Sequence, residues 1–143
     1  MPLNGYTIGR DITLTIVTAS GPLSLNQITG FQSKQDTLEQ KIKGLDGITR
    51  YLRFYDAWSG SFTLERQDST LDDYFSQLES NYYAGLSELG ASLTETIQEV
   101  SGAITRYRYL QLLLKYDDAG EYRGDKSVMQ RLSFIASRRI KLA

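Results

Sequence analysis

Over residues 11–18 side chains alternate in the manner of a strand, with the aliphatic Ile12, Leu14 and Ile16 on one side and Thr13, Thr15 and Val17 on the other. A period of two is the mark of a half-buried strand. Gly21-Pro22 breaks the pattern, and a second extended stretch follows over about 28–43. There Leu38 and Ile42 face one way, while Thr37, Glu39, Lys41 and Lys43 face the other, toward solvent or a partner. Leu45-Asp46-Gly47 signals a turn, and residues 48–56 then carry large side chains on both faces. Next come Trp58, Gly60, Phe62 and Leu64, alternating with Ser59, Ser61, Thr63 and Glu65 in the clearest inside/outside strand of the chain.

One segment switches to a helical period. Leu71, Tyr74, Phe75, Leu78 and Tyr82 form a single apolar stripe, Ser69 is placed to cap the first turn, and Asp72 and Asp73 oppose the positive end of the dipole. Gly85 or Gly90 supplies the left-handed residue that ends it. Residues 92–100 fit a helical stripe through Leu93, Ile97 and Val100, but Thr94 and Thr96 between Gly90 and Gly102 favour a strand. Ser101-Gly102 turns into a long strand over 104–116, joined by a polar loop to a last strand over 128–139. The expectation is one α+β domain over residues 1–143, dominated by antiparallel sheet, as a sandwich or partly closed barrel with one flanking helix.

Composition narrows the chemistry. With 143 residues the chain is long enough to bury about 70% of its unfolded surface, and 41% hydrophobic against 23% charged residues is ordinary for a folded domain. Cysteine and histidine are both absent, which removes disulfides, thiolate nucleophiles, the commonest general base and the usual zinc ligands. No apolar run approaches the ~20 residues of a membrane span, so no membrane anchor is expected. A formal net charge of −1 argues against general attraction to nucleic acid.

The motifs that resemble active sites have simpler readings. Gly120-Glu-Tyr-Arg-Gly124-Asp-Lys126-Ser127 has the wrong spacing for a phosphate-binding loop and sits in a hairpin, and Arg123-Gly124-Asp125 is too short a string to carry weight. Asp72-Asp73 suits a helix start, and Asp117-Asp118 suits a turn. In Arg106-Tyr107-Arg108-Tyr109 the alternation sends both arginines to one face and both tyrosines to the other, so they form no stacking groove; an exposed strand or subunit interface is preferred. The basic end Arg138-Arg139-Ile140-Lys141 reads first as a solvated terminus and second as a contact with an acidic neighbour. No catalytic, cofactor-binding or metal-binding residues are expected, and no cofactor.

The order of these features and several phrases resemble the tail tube proteins of contractile-tailed bacteriophages, relatives of the hemolysin-coregulated protein of type VI secretion. The resemblance rests on the extended segment ending at Lys43-Gly44-Leu45, on Trp58-Ser-Gly-Ser-Phe-Thr-Leu-Glu-Arg66, on the helix through Tyr74-Phe75 to Asn81-Tyr-Tyr-Ala-Gly85, and on Tyr107-Arg-Tyr109 and Lys115-Tyr-Asp-Asp118. It implies a virion protein that forms hexameric rings stacked into a tube. Sheath, baseplate and tail-terminator proteins would be its partners, and DNA would pass through the lumen without specific binding. Under that resemblance the segment 28–58 supplies contacts between copies, with Tyr51, Phe54, Tyr55 and Trp58 as aromatic anchors and Arg106 and Arg108 as further contacts. Thr94, Thr96 and Gln98 are the candidates for a polar lumen. The competing readings are a baseplate or tail-completion ring of the same fold, a monomeric β-barrel carrier of a small ligand, and an enzyme using only carboxylates and tyrosine.

Overall fold

The computed structural model describes residues 3–19, 21–23, 28–67 and 69–142. A short 3-10 turn, Gly9–Asp11, leads into strands β1 (Ile12–Thr18), β2 (Gly21–Leu23), β3 (Ile28–Lys43) and β4 (Thr49–Glu65). Helix α1 (Thr70–Tyr83) follows, then β5 (Ala91–Gln98), β6 (Ile104–Asp118), β7 (Met129–Ala136) and β8 (Arg138–Lys141). The two stretches expected before and after Asp56 are one strand, and the ambiguous segment near Thr94 is a strand. The last strand is split at Ser137 into β7 and β8, so the basic end is an edge of the sheet: β8 pairs with β6, Arg139 opposite Tyr109, while Arg138 and Lys141 stay exposed to solvent.

All pairings are antiparallel, in the order β2-β1-β5-β6-β7-β4-β3, with β8 added beside β6. The sheet folds over on itself into two layers and does not close. The fold line crosses β6 at Gln111, which takes φ +51° at the shift between the Ala91–Leu112 and Leu93–Tyr109 pairs. A bulge of this kind bends a strand and lets it serve both layers. Its first half pairs with β5 and β8, its second half with β7. Ser137 marks the same corner on the neighbouring strand, where its amide and hydroxyl both donate to the Leu110 carbonyl, at 3.0 and 3.2 Å.

Between the layers lie Ile16, Phe62, Leu64, Leu93, Tyr109, Leu112, Leu114, Leu132 and Phe134. Phe62 and Leu64 come from the strand whose alternation is clearest, and Phe31 stacks on Phe134 with ring centroids 5.9 Å apart. Gly60 is required there: a Cβ would lie 2.2 Å from the Gln32 carbonyl oxygen and 2.7 Å from the Phe134 ring.

Helix α1 packs on this core through Leu71, Tyr74 and Phe75, with Phe75 stacked on Tyr116 at 4.7 Å. Ser69 precedes it but makes no cap bond to the backbone; its hydroxyl donates to Asp73 at 3.0 Å instead. Gly85, at φ +79°, follows its end as the sequence predicts. Asp72 is more than a favourable charge at the helix start. Its Oδ1 accepts from the Tyr116 hydroxyl (2.5 Å) and Gln130 Nε2 (3.2 Å), and its Oδ2 meets Arg66 at 3.1 Å. Gln130, almost fully buried, also donates to the Tyr116 oxygen and the Ala119 carbonyl. The network ties the first turn of the helix to β6, β7 and the end of β4.

The Tyr116 hydroxyl, followed by Arg66 and Gln130, holds the Asp72 carboxyl below its ordinary value against the opposing effect of burial. A depressed folded-state value means that the stabilisation is complete above the unfolded carboxylate value of ~3.9 and is lost as pH falls through the folded one. Asp72→Asn is therefore expected to be less stable than the parent by about 1–2 kcal/mol at neutral pH. It should also lack part of the parent's stability loss below about pH 4; parallel acid titrations of the denaturation midpoint check both.

Candidate assembly interface

β3 and β4 are paired along nearly their whole length, from Ile28 opposite Leu64 to Lys43 opposite Thr49. Only the part up to Asp36 and Ala57 lies on the body, because β7 reaches β4 no further than Trp58. Beyond it the two strands run on as a ribbon with neither face covered: from Leu38 to Asp56 every residue except Gly44 is exposed. The projecting arm, residues 37–56, is thus shorter than the 28–58 segment marked by the sequence. A free two-strand ribbon is marginal in water, so this one depends on its continuity with the body and on its cross-strand pairs.

Register divides the arm into two chemically different faces, since residues paired across a ladder share a face. One face carries the pairs Leu38–Phe54, Gln40–Leu52 and Ile42–Arg50; the other carries Thr37–Tyr55, Glu39–Arg53, Lys41–Tyr51 and Lys43–Thr49. The first is an apolar strip, the second a tyrosine and charged strip. The sequence-predicted anchors are therefore separated. Phe54, 52% exposed, belongs to the apolar strip, whereas Tyr51 and Tyr55, 69% and 71% exposed, lie on the reverse. Alternation alone separates them; what a bulge changes is their relation to the body, because Asp36 pairs with Ala57 but Thr37 with Tyr55, so the extra residue Asp56 puts Trp58 in line with Tyr51 and Tyr55 rather than with Phe54.

Trp58, the fourth proposed anchor, is half-buried in the chain itself. Its ring meets Tyr109 edge-on at 5.9 Å, and the Arg139 guanidinium lies 4.6 Å above it. The same guanidinium is 3.4 Å from the centre of the Tyr107 ring, a cation held among aromatic faces where the arm leaves the body. Beneath, Tyr109 is fully buried and donates to Glu95 Oε2 at 3.1 Å; burial pushes its hydroxyl up to about 12. A shallow groove at the same place is lined by Asp36, Tyr55, Asp56, Trp58, Arg138 and Arg139.

Thr94, Thr96 and Gln98 lie on the face of β5 turned away from buried Leu93 and Glu95. Thr94 is flanked by Thr15 and Arg108, Thr96 by Thr13 and Arg106, and Gln98 is opposite Ile104. The lumen candidates and the two candidate arginines therefore form one surface, with hydroxyls toward β1 and guanidinium groups on β6. Alternation separated Arg106 and Arg108 from Tyr107 and Tyr109, but only the β5–β6 register could place them beside the threonines. Among the described residues there is no cluster of carboxylates that could hold a metal ion, and no helix is long and apolar enough to cross a membrane.

The sequence matches no family model and no curated protein. Its fold does match solved structures. A chain of the extended PVC sheath/tube terminator, from an extracellular contractile injection system, superposes with TM-score 0.63 at 11% identity, covering 100% of this chain and 98% of that one. A chain of the extended PVC sheath-tube complex matches with TM-score 0.62 at 11% identity over 91% and 88%. One from the six-fold symmetrised baseplate of the anti-feeding prophage matches with TM-score 0.63 at 9% identity over 99% and 98%. The chain has the tail tube type of fold, shared by tube, terminator and baseplate structures of contractile injection systems.

The stacked cation predicts a spectroscopic result at the arm's base. Trp58 is the sole tryptophan, so its fluorescence reports this site alone. Arg139→Ala is expected to red-shift the emission and lower stability by about 1 kcal/mol, as a lost cation–aromatic contact does; unchanged emission would mean that the guanidinium does not cover the ring in solution.

Proposed function

We propose that this protein is a non-enzymatic structural subunit that forms hexameric rings stacked into the inner tube of a contractile tail. A sheath surrounds that tube, baseplate and terminator proteins bound it, and DNA passes through its bore within a virion. The fold likeness supports the class of assembly. The observation that carries the reading is the arm: a ribbon exposed on both faces, with Leu38, Ile42, Leu52 and Phe54 on one and Tyr51 and Tyr55 on the other, is a poor surface for a monomer and a good one for a contact between copies.

In the assembled tube the arm supplies the contacts between copies. Trp58 contributes by holding the arm's base, and the hydroxyl row of Thr94, Thr96 and Gln98 lines the bore. Arg106 and Arg108, on that same surface, make contacts between copies at its margin. Pairing with a neighbour's carboxylates would keep two guanidinium groups from binding the phosphate backbone that must slide past.

A ring that does not stack, as in a terminator or baseplate, is the second reading, favoured by the full-length likeness to chains from such structures. The carrier reading loses ground because the sheet does not close around a cavity. Electron microscopy of the concentrated protein separates the first two, showing tubes in one case and single rings in the other. Phe54→Ala and Tyr55→Ala are each expected to weaken assembly by about tenfold or more while the monomer keeps its circular dichroism and melting temperature. Assembly unchanged in both variants would refute the arm's role.

A further inference from the structure

The tip of the arm is built to hold a leucine in solvent. The Gly44 amide donates to the Ile48 carbonyl at 3.1 Å, the Gly47 amide to the Gly44 carbonyl at 3.0 Å, and the Ile48 amide to Asp46 Oδ1 at 3.0 Å. Arg50 grips the other Asp46 oxygen at 3.1 Å, and Gly47 takes φ +82°, a conformation that favours glycine. These bonds leave the turn little freedom, yet the residue it displays, Leu45, is fully exposed. A pre-organised apolar side chain at the end of a projecting arm loses little entropy on binding and gains its burial. Lys41 and Lys43 follow it down one face of the arm.

A groove of about 350 Å³ with complementary chemistry opens between α1 and the β1–β2 turn. Pro22, Leu23, Leu78 and Leu89 give it an apolar lining, and Asp73 and Glu88 add carboxylates. Charge follows the same division over a wider range. Residues 69–90 contain Asp72, Asp73, Glu79 and Glu88 and no lysine or arginine, whereas on the arm Lys41, Lys43, Arg50 and Arg53 outnumber Glu39, Asp46 and Asp56.

We propose that the Leu45 tip of one copy seats in the α1 groove of a second copy, with Lys41 and Lys43 against Asp73 and Glu88. The two surfaces come from different parts of the chain, so the contact is head-to-tail: each copy offers one tip and one groove, and a row of copies ends with one of each unsatisfied. This rests on the reading of the protein as a self-assembling subunit and adds which surface receives the arm.

The absence of cysteine makes the test clean. An equal mixture of Leu45→Cys and Leu89→Cys single variants, mildly oxidised, is expected to give a mixed covalent dimer. Its yield should fall about fivefold when Lys43→Glu is added to the first variant and recover when Glu88→Lys is added to the second, as a specific charge pair requires. Leu45→Cys mixed with Ile104→Cys, on the threonine face, sets the background. Should rings or tubes form while the Leu45–Leu89 pair gives no more than that background, the tip seats elsewhere; this inference then fails and the assembly reading survives. Absence of both the cross-link and any species larger than a monomer would overturn the two together.

Discussion

The ladder between β3 and β4 is the element on which the rest of the molecule depends. At about 3.3 Å per residue, strands of this length extend well past the rows that β7 can cover, and their mutual pairing carries them beyond the core. On the body, the ladder contributes Phe31, Phe62 and Leu64 to the space between the layers. Off the body, the same pairing forces apolar and aromatic side chains into water. One continuous set of bonds thus creates both the core and the surface that core cannot use.

Polar contacts hold the body half of this ladder in place at its two limits. At the arm's base the Arg139 guanidinium lies against Trp58 and Tyr107. At the far end of β4 the Asp72 carboxylate gathers Arg66, Tyr116 and Gln130, so the helix is fastened where β4 leaves the sheet. Hydrophobic burial is non-directional and tolerates sliding, whereas a carboxylate bonded to three fixed donors does not. The base of the arm and the start of α1 are thereby both fastened to the same body.

The proposed assembly also offers a physical account of the open sheet. A folded sheet that stops short of closure leaves strand edges that pair readily with another chain, and a monomer must protect them. In the proposed ring of copies those edges, the two faces of the arm and the threonine and arginine surface would all be places where a neighbour completes what one chain leaves unfinished. The arm's separate apolar and tyrosine faces then suit two different neighbours better than one.

Much of the body was legible in the chain. Period-two alternation marked β1 and the core half of β4, the 3.6 period and Gly85 marked α1, and threonines between glycines identified β5, because local sterics and one-sided burial act on each segment independently. What only the tertiary structure decided was register and parity: the bulge at Asp56 that puts Trp58 on the face of Tyr55 rather than that of Phe54, the bend at Gln111 that lets β6 serve both layers, and the gathering of Asp72 with Tyr116 and Gln130 from distant positions. Alternation is blind to a single inserted residue, and a side chain's partner across a sheet is set by the ladder as a whole. The strands could therefore be read singly, while the surface they make together could not.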